Sequence, residues 1–201
     1  MTQPQMQTAP KTHPWIVKIS ESKINYWATY VVDLSMMTFF LAYDGMRLQV
    51  GGPSMLGLYG AGIFSWTLME YVFHRWMYHM GLPLTTEGHE KHHQDPTAYI
   101  AMPAFVTPIL FLPVWGVLSA WLHIAGFSSV LGGFFAGFIG YSFMHHSLHH
   151  YKMPFSWLRH LQSQHRIHHA LPESNFGVTT RFWDRVFGTE FVKESRTAKA
   201  E

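Results

Sequence analysis

The chain has 201 residues, of which 48% are hydrophobic and only 13% are charged, about half the charged share of roughly 25% that is usual in a soluble domain. This length allows one domain more readily than two, and a net charge of +2 is too small to indicate a protein that binds nucleic acid. The absence of cysteine excludes disulfides, iron–sulfur clusters and thiolate zinc sites.

The two ends of the chain are polar. Residues 1–25 contain Pro4, Pro10 and Pro14 and have no apolar central stretch, so we expect a flexible cytoplasmic tail there and no cleavable signal peptide. Residues 190–201 form a second expected tail, which leaves 26–189 as one membrane domain.

The apolar segments between the tails are long enough to cross a bilayer. Residues 26–43 are interrupted only by Asp33, and residues 48–69 and 96–151 contain no Asp, Glu, Lys or Arg. A bilayer core of roughly 30 Å requires about 20 helical residues, so the third stretch is long enough for two spans with a turn near 124–128. The predicted spans are about 26–43, 53–75, 103–123 and 128–148. The last contains Gly133, Gly137 and Gly140, small residues that allow close contact with another helix in lipid. A buried soluble bundle is the alternative, but soluble helices of this length usually have a charged outer face.

The basic residues indicate the orientation of these spans. Thirteen of the 14 Lys and Arg residues lie in the N-terminal tail, in the segment from Arg75 to residue 100, or after residue 151, whereas Arg47 lies on the other side. The positive-inside rule then places both termini and the middle loop in the cytoplasm, either at a bacterial inner membrane or at the endoplasmic reticulum.

Ten of the 15 histidines form four groups on this predicted cytoplasmic side. The groups are His74 and His79; His89, His92 and His93; His145 and His149; and His165, His168 and His169. Positions i, i+3 and i+4 share one face of an α-helix, so each triplet can direct its rings towards one region. His74 and His79 lie about 140° apart on a regular helix and therefore need different partners or a distorted turn.

Ten imidazoles suffice for two transition-metal ions, each of which takes about four to six ligands. Adjacent residues such as His92 and His93 diverge by about 100°, which lets one triplet serve both ions. Imidazole suits iron, copper, nickel and zinc, so the spacing leaves the identity of the metal open.

The other five histidines are interpreted as non-ligands. His13 lies in the tail and His123 at the opposite membrane face, while His146, His150 and His160 are interpreted as surface residues or as residues that support ligands.

Three acidic residues are candidates for supporting roles. Metal-bound histidines usually donate their second ring proton to a carboxylate or carbonyl, and Glu70, one turn before His74, could accept it; Asp184 is a further candidate. Asp33 lies inside a predicted span, where an ionisable residue indicates a functional site or a contact with another helix.

These motifs resemble the fatty acid hydroxylase superfamily, and the fatty acid 2-hydroxylases most of all. The segment Trp66–His79 (WTLMEYVFHRWMYH), the two triplets, Tyr141–His149 (YSFMHHSLH) and Asn175–Thr189 (NFGVTTRFWDRVFGT) carry the likeness. The resemblance covers about residues 60 to 189.

The resemblance implies an all-α integral membrane protein in which four transmembrane helices are capped by a cytosolic helical layer. That layer would hold two iron ions with the ten histidines as ligands, and O2 and two electrons would be co-reactants. The short tail cannot be the fused haem domain of many eukaryotic relatives, so a separate ferredoxin or cytochrome with a reductase is expected as electron donor. Zinc in purified protein would count as a replacement, because it binds similar ligands more tightly than iron(II).

The expected function is O2-dependent hydroxylation of a lipid acyl chain, with C2 as the position that the resemblance suggests. The alternatives are a sterol or carotenoid hydroxylase or desaturase, an ornithine-lipid hydroxylase, and a membrane metal-binding protein without enzymatic activity, such as a transporter or haem protein. Transport ligands would lie near the bilayer midplane, whereas these histidines lie at the cytoplasmic ends of the predicted spans.

Overall fold

The computed structural model of the protein describes residues 13–47 and 51–192. This part of the chain is helical and contains no strand, which confirms the predicted all-α class. The helices are α1 (Pro14–Ser20), α2 (Lys23–Arg47), α3 (Gly52–Val72), α4 (Pro83–Gln94), α5 (Val106–Trp115), α6 (Phe127–His150), α7 (Ser156–Ala170) and α8 (Phe182–Val186). Two of them continue as π-helical turns, α3 through Phe73–Tyr78 and α5 through Gly116–Trp121.

Helices occupy all four segments that were predicted as spans. With 24 residues, α6 is about 36 Å long at roughly 1.5 Å per residue. Among the described helices, α6 has both the length and the apolar composition to cross a membrane, and Val106–Trp121 is apolar but shorter. The predicted turn before α6 is present, with positive φ values at His123 (52°) and Gly126 (78°).

Helices α3 and α6 pack backbone against backbone at glycine residues. A Cβ atom on Gly133 would lie 1.9 Å from the carbonyl oxygen of Tyr59, and one on Gly62 would lie 2.1 Å from that of Val130. A Cβ on Gly137 would lie 2.6 Å from Cβ of Trp66. The close helix contact that the small residues of α6 predicted is therefore confirmed.

An apolar core and a buried carboxylate hold α2 against α6. Met36 and Phe40 of α2 pack on Leu131 and Phe135 of α6. At the end of α6 away from the histidines, the Ser129 backbone N–H and hydroxyl both donate to Oδ2 of Asp44 at 2.7 Å. These contacts fix the axial position of α6, whose other end carries His145 and His149.

Residues 1–12 and 193–201 of the two expected tails lie outside the described residues. Within residues 13–25 the structure differs from the expected N-terminal tail, because α1 and the start of α2 lie there. Ser20 accepts a backbone hydrogen bond from Ala101 (3.0 Å). The Asn25 side chain donates to the Met102 carbonyl (3.1 Å) and accepts from the Ala104 N–H (2.9 Å). These partners are more than 70 residues away in sequence, so the local polarity of the segment could not reveal them.

Candidate metal centre

The π-helical turn explains how two histidines five residues apart can serve one site. His74 and His79 would diverge on a regular α-helix, but the wider turn closes with i to i+5 hydrogen bonds and brings such residues back to one face. Their rings lie 5.5 Å apart and nearly parallel, with an interplanar angle of 19°. Of the two arrangements that the spacing allowed, the distorted turn is the one present, at Phe73–Tyr78.

The histidines form two clusters, and each triplet contributes residues to both of them. On α4, His89 and His93 belong to one cluster and His92 belongs to the other. On α7, His168 joins the cluster of His89 and His93, whereas His165 and His169 join the cluster of His92. The i, i+4 pair of each triplet therefore shares a cluster, and the i+3 residue serves the neighbouring one.

The ten predicted histidines gather into two clusters of five, which we call the first and the second cluster. The first cluster is His74, His79, His89, His93 and His168, and the second is His92, His145, His149, His165 and His169. Within each cluster one nitrogen from every ring lies within 4.8 Å of the others. An ion bound about 2.1 Å from each nitrogen places opposite ligands about 4.2 Å apart, so small side-chain shifts would suffice for binding.

Backbone carbonyls fix the orientation of two rings in the first cluster. Nδ1 of His74 lies 2.5 Å from the Phe176 carbonyl oxygen, and Nδ1 of His168 lies 2.8 Å from that of Ser174. A carbonyl can only accept, so both Nδ1 atoms carry the proton and both Nε2 atoms present a lone pair to the cluster. Nε2 of His74 lies 3.1 Å from Nε2 of His89.

The second cluster contains a buried ring nitrogen without a protein partner. Nε2 of His92 is fully enclosed and makes no hydrogen bond within the described residues. The His92 ring lies 4.6 Å from that of His145 and 4.7 Å from that of His149, measured between ring centroids. A buried polar atom with no partner is rare in a folded protein unless a ligand or ion completes its environment, so this donor set fits a bound metal.

Burial keeps the clustered imidazoles neutral. It lowers the pKa of His92 to about 2, with a further contribution from the neighbouring rings. It also lowers the pKa of His168 and of His169 to about 3, and that of His93 to about 4. A neutral imidazole retains the lone pair that a metal requires. The site is therefore ready to bind a cation near neutral pH.

Two buried carboxylates, Glu70 and Asp184, bind the backbone of the segment that carries the Ser174 and Phe176 carbonyls. Oε1 of Glu70 accepts from the Val178 N–H (2.6 Å) and the Thr179 N–H (2.9 Å). Asp184 accepts from the N–H groups of Phe176 and Gly177, both at 2.8 Å. The prediction that Glu70 accepts the ring proton of His74 is wrong. The Phe176 carbonyl accepts it instead, and Glu70 binds the backbone of the segment that carries this carbonyl.

The remaining histidines belong to neither cluster. His146 contacts the Tyr26 hydroxyl through Nδ1 (3.0 Å) and stacks on His150 with ring centroids 4.1 Å apart. His160 contacts the Arg181 guanidinium, and His13 and His123 are exposed.

A cavity of about 180 Å³ adjoins the clusters. Helices α2, α4 and α6 form most of its wall, which includes His89 of the first cluster and His92, His145 and His149 of the second. Apolar and hydroxyl-bearing residues, together with Asp33, His146 and His150, complete the lining. A small molecule in this cavity would contact residues of both clusters.

Comparison with known proteins agrees with this arrangement. Residues 59–189 match the model of the fatty acid hydroxylase family. The chain belongs to this family. The match includes every residue of both clusters.

Individual relatives are consistent with the assignment. Over 82% of its length the chain is 29% identical to a dihydroceramide fatty acyl 2-hydroxylase of Arabidopsis thaliana, covering 73% of that protein. It is 36% identical to the ceramide very long chain fatty acid hydroxylase of Saccharomyces cerevisiae, with 86% of this chain and 48% of that protein covered. For the human fatty acid 2-hydroxylase the identity is 30%, with 87% and 50% covered. The chain thus spans about half the length of the yeast and human relatives.

A solved structure shares the fold. The hydroxylase domain visible in full-length scs7p superposes with a TM-score of 0.69 at 27% identity, covering 87% of this chain and 69% of that one.

Sequence reasoning did not identify the carbonyl groups of Ser174 and Phe176 as partners of the histidines. Every residue carries a carbonyl, so residue type gives no signal. The only available signal was the likeness of the segment from Asn175 to Thr189 to the closing segment of the family.

Proposed function

We propose that this protein is an integral membrane oxidoreductase that hydroxylates the acyl chain of a membrane lipid, with C2 as the preferred position. The observation that carries the proposal is the pair of five-histidine clusters beside one cavity in a chain of the fatty acid hydroxylase family. The named relatives act on fatty acyl groups of ceramide and dihydroceramide, which supports the choice of substrate.

The ten clustered histidines are proposed as ligands of two iron ions, five to each ion. When bound, the iron pair would supply the redox chemistry that activates O2. Imidazole is a suitable ligand for iron, and the neutral rings and their support by the Phe176 and Ser174 carbonyls favour binding. The overall reaction consumes R–H, O2, two electrons and two protons and yields R–OH and water. Neither histidine nor any other side chain supplies those electrons, so a ferredoxin or cytochrome with its reductase is the proposed donor.

The chain's own residues would position the substrate and exclude water. An acyl chain in the cavity would contact His92, His145 and His149 near the clusters and Phe138 and Tyr141 further along α6. The aromatic rings would hold the chain by apolar contact. Burial of the cluster would limit the access of bulk water to the reacting carbon.

The proposed topology has four membrane spans, α2, α3, α5 with its π-helical turn, and α6, and a cytoplasmic layer built from α4, α7 and α8. Both termini are proposed to be cytoplasmic. The charge distribution of the sequence supports this orientation, and the apolar outer surface supports membrane insertion: Ile24, Leu56 and Ile109 are among the large hydrophobic side chains that remain exposed.

Lipid mass spectrometry tests the function. Membranes from cells that express the protein with a suitable reductase should contain a lipid class that gains one oxygen atom, and fragmentation should place it on the acyl chain. A lipid that loses two hydrogens would indicate desaturation, and no change in any lipid class would contradict the proposal.

Two variants and a control connect this activity to the clusters. His168→Ala and His92→Ala each remove one member of a cluster and should abolish the oxygenated product. His13→Ala alters an exposed residue outside both clusters and should leave the product unchanged. Equal product in all three proteins would contradict the assignment of the site.

A further inference from the structure

Asp33 of α2 is a buried carboxyl group whose hydrogen-bonding capacity is not used. Its side chain is 3% exposed, and Oδ1 has no hydrogen-bond partner within the described residues. The hydroxyl of Thr107 on α5 lies near the carboxyl group and interacts with it, while Oδ1 remains without a partner. Buried acceptors of this kind are rare in native proteins and call for a partner.

Asp33 lines the cavity that adjoins the histidine clusters. Asp33 and Thr107 line the same cavity as His92 and His145. Along α2, Asp33 follows Tyr26 by seven residues, which corresponds to about 10 Å of helix. A lipid that fills this cavity therefore contacts Asp33 as well as residues of the clusters.

The chemistry of a carboxyl group limits what can satisfy Oδ1. A carboxyl oxygen keeps acceptor lone pairs in either protonation state. An alkyl chain, an ester and a fatty acid carboxylate have no donor to offer, whereas a hydroxyl or an amide N–H has one. A lipid without a donor would displace water from Asp33 and leave the acceptor lone pairs of the carboxyl group unpaired.

We infer that Asp33 accepts a hydrogen bond from a hydroxyl or amide N–H of the lipid substrate and thereby selects lipids that carry such a donor over those that do not. The inference rests on the proposed function, since it concerns the substrate of that same site. It makes Asp33 a specificity-determining residue that touches an unreactive part of the substrate.

Two pairs of probe lipids separate the donor from the rest of the molecule. N-octadecyl hexadecanamide and octadecyl hexadecanoate differ only in N–H against ester oxygen. N-hexadecanoyl dihydrosphingosine and its di-O-methyl ether differ in their hydroxyl groups. The full-length metal-loaded protein is assayed with each probe for the hydroxylated acyl chain, and metal content is measured in parallel.

The wild-type protein should show a kcat/KM about tenfold or more higher for the donor-bearing member of at least one pair. A ratio of this size is expected when one hydrogen bond to a buried carboxyl group is lost. In Asp33→Ala this preference should disappear through a rise in KM for the donor-bearing lipid, because uniform binding is lost. Asp33→Asn keeps an acceptor oxygen and should retain most of the preference. Ser35→Ala is the matched control, because Ser35 lies two residues further along α2, is exposed and donates only to the Val31 carbonyl.

Each outcome is decisive. If the wild-type protein prefers neither donor-bearing probe, or if Asp33→Ala keeps the preference or lowers the turnover of both members of a pair equally, the inference is wrong while the hydroxylase function stands. If no probe and no cellular lipid is hydroxylated, the proposed function itself fails. If Asp33→Ala does not fold, the thermal stabilisation of wild-type protein by the amide over the ester, and by the dihydrosphingosine lipid over its ether, decides in its place.

Discussion

His92 and His93 are neighbours in sequence that serve different clusters. Adjacent residues diverge by about 100° around a helix, so one short motif can supply ligands to two ions without a loop between them. Because the same division occurs at His168 and His169 on α7, the two clusters share their walls. Loss of one ring should therefore weaken one cluster and spare the other.

Metal stoichiometry tests this separation. His92→Ala should lower bound metal from two ions towards one per chain by removing a ligand of the second cluster, and His168→Ala should do the same for the first. The double variant should bind almost none. Elemental analysis of purified proteins gives these numbers, and a loss of both ions from either single variant would show that the clusters bind metal as one unit.

Glu70 holds the segment of residues 174–179 in place. It is buried and accepts two backbone N–H groups and the Thr179 hydroxyl. In Glu70→Ala these donors are left unpaired, so the free energy of unfolding should fall by about 2 kcal/mol or more. Bound metal should fall as well, because the Phe176 carbonyl would no longer be held against His74.

Thermal unfolding in detergent, followed by tryptophan fluorescence, measures the loss in Glu70→Ala. Glu173→Ala provides the control, since Glu173 is an exposed acidic residue just before the same segment. Equal melting temperatures for the two variants would contradict the role assigned to Glu70.

At the scale of helices, the contact between α3 and α6 sets the position of two of the five histidines of the second cluster. A methyl group on Gly133 would meet the Tyr59 backbone at 1.9 Å, whereas one on Gly140 would meet nothing within 4 Å. Gly133→Ala should force the helices apart and destabilise the protein by about 1–3 kcal/mol. Gly140→Ala should be neutral or stabilising, because alanine favours helix more than glycine does.

The measurement is the melting temperature of the two glycine variants beside that of the wild-type protein. They change the same residue type on the same helix, seven positions apart, so a general effect of the substitution would appear in both. A melting temperature for Gly133→Ala equal to that of Gly140→Ala would show that the helices tolerate a wider spacing.

The sequence was sufficient to predict the long helices, the close glycine contact and the set of ten clustered histidines, because periodicity, length and residue type are local signals. It indicated that one triplet could serve both ions and that the turn between His74 and His79 could be distorted. It was insufficient to assign each histidine to a cluster or to specify a π-helical turn at Phe73–Tyr78, because both depend on packing between helices. The supporting role of the Ser174 and Phe176 carbonyls could not be predicted either, because the loop that carries them is held by Glu70, which lies more than 100 residues earlier in the sequence.

For the molecule as a whole, both clusters lie at one end of the long helices. His74 and His79 lie at and just beyond the end of α3, and His145 and His149 lie in the last turns of α6, whereas Asp44 and Ser129 hold the opposite end together. A lipid embedded in a bilayer presents its polar end and first acyl carbons near the interface. This position of the clusters suits chemistry close to the head of the acyl chain, provided that the histidine end faces the cytoplasm.

The cysteine-free sequence makes this orientation directly measurable, because any introduced cysteine is the sole thiol. Lys152→Cys lies beyond α6 at the histidine end, and Met46→Cys lies at the far end of α2, where the native side chain is 78% exposed. In intact cells a membrane-impermeant maleimide should label Met46→Cys and should label Lys152→Cys only after permeabilisation, as the distribution of Lys and Arg requires. Labelling of Lys152→Cys in intact cells would reverse the topology and place the clusters away from a cytoplasmic electron donor.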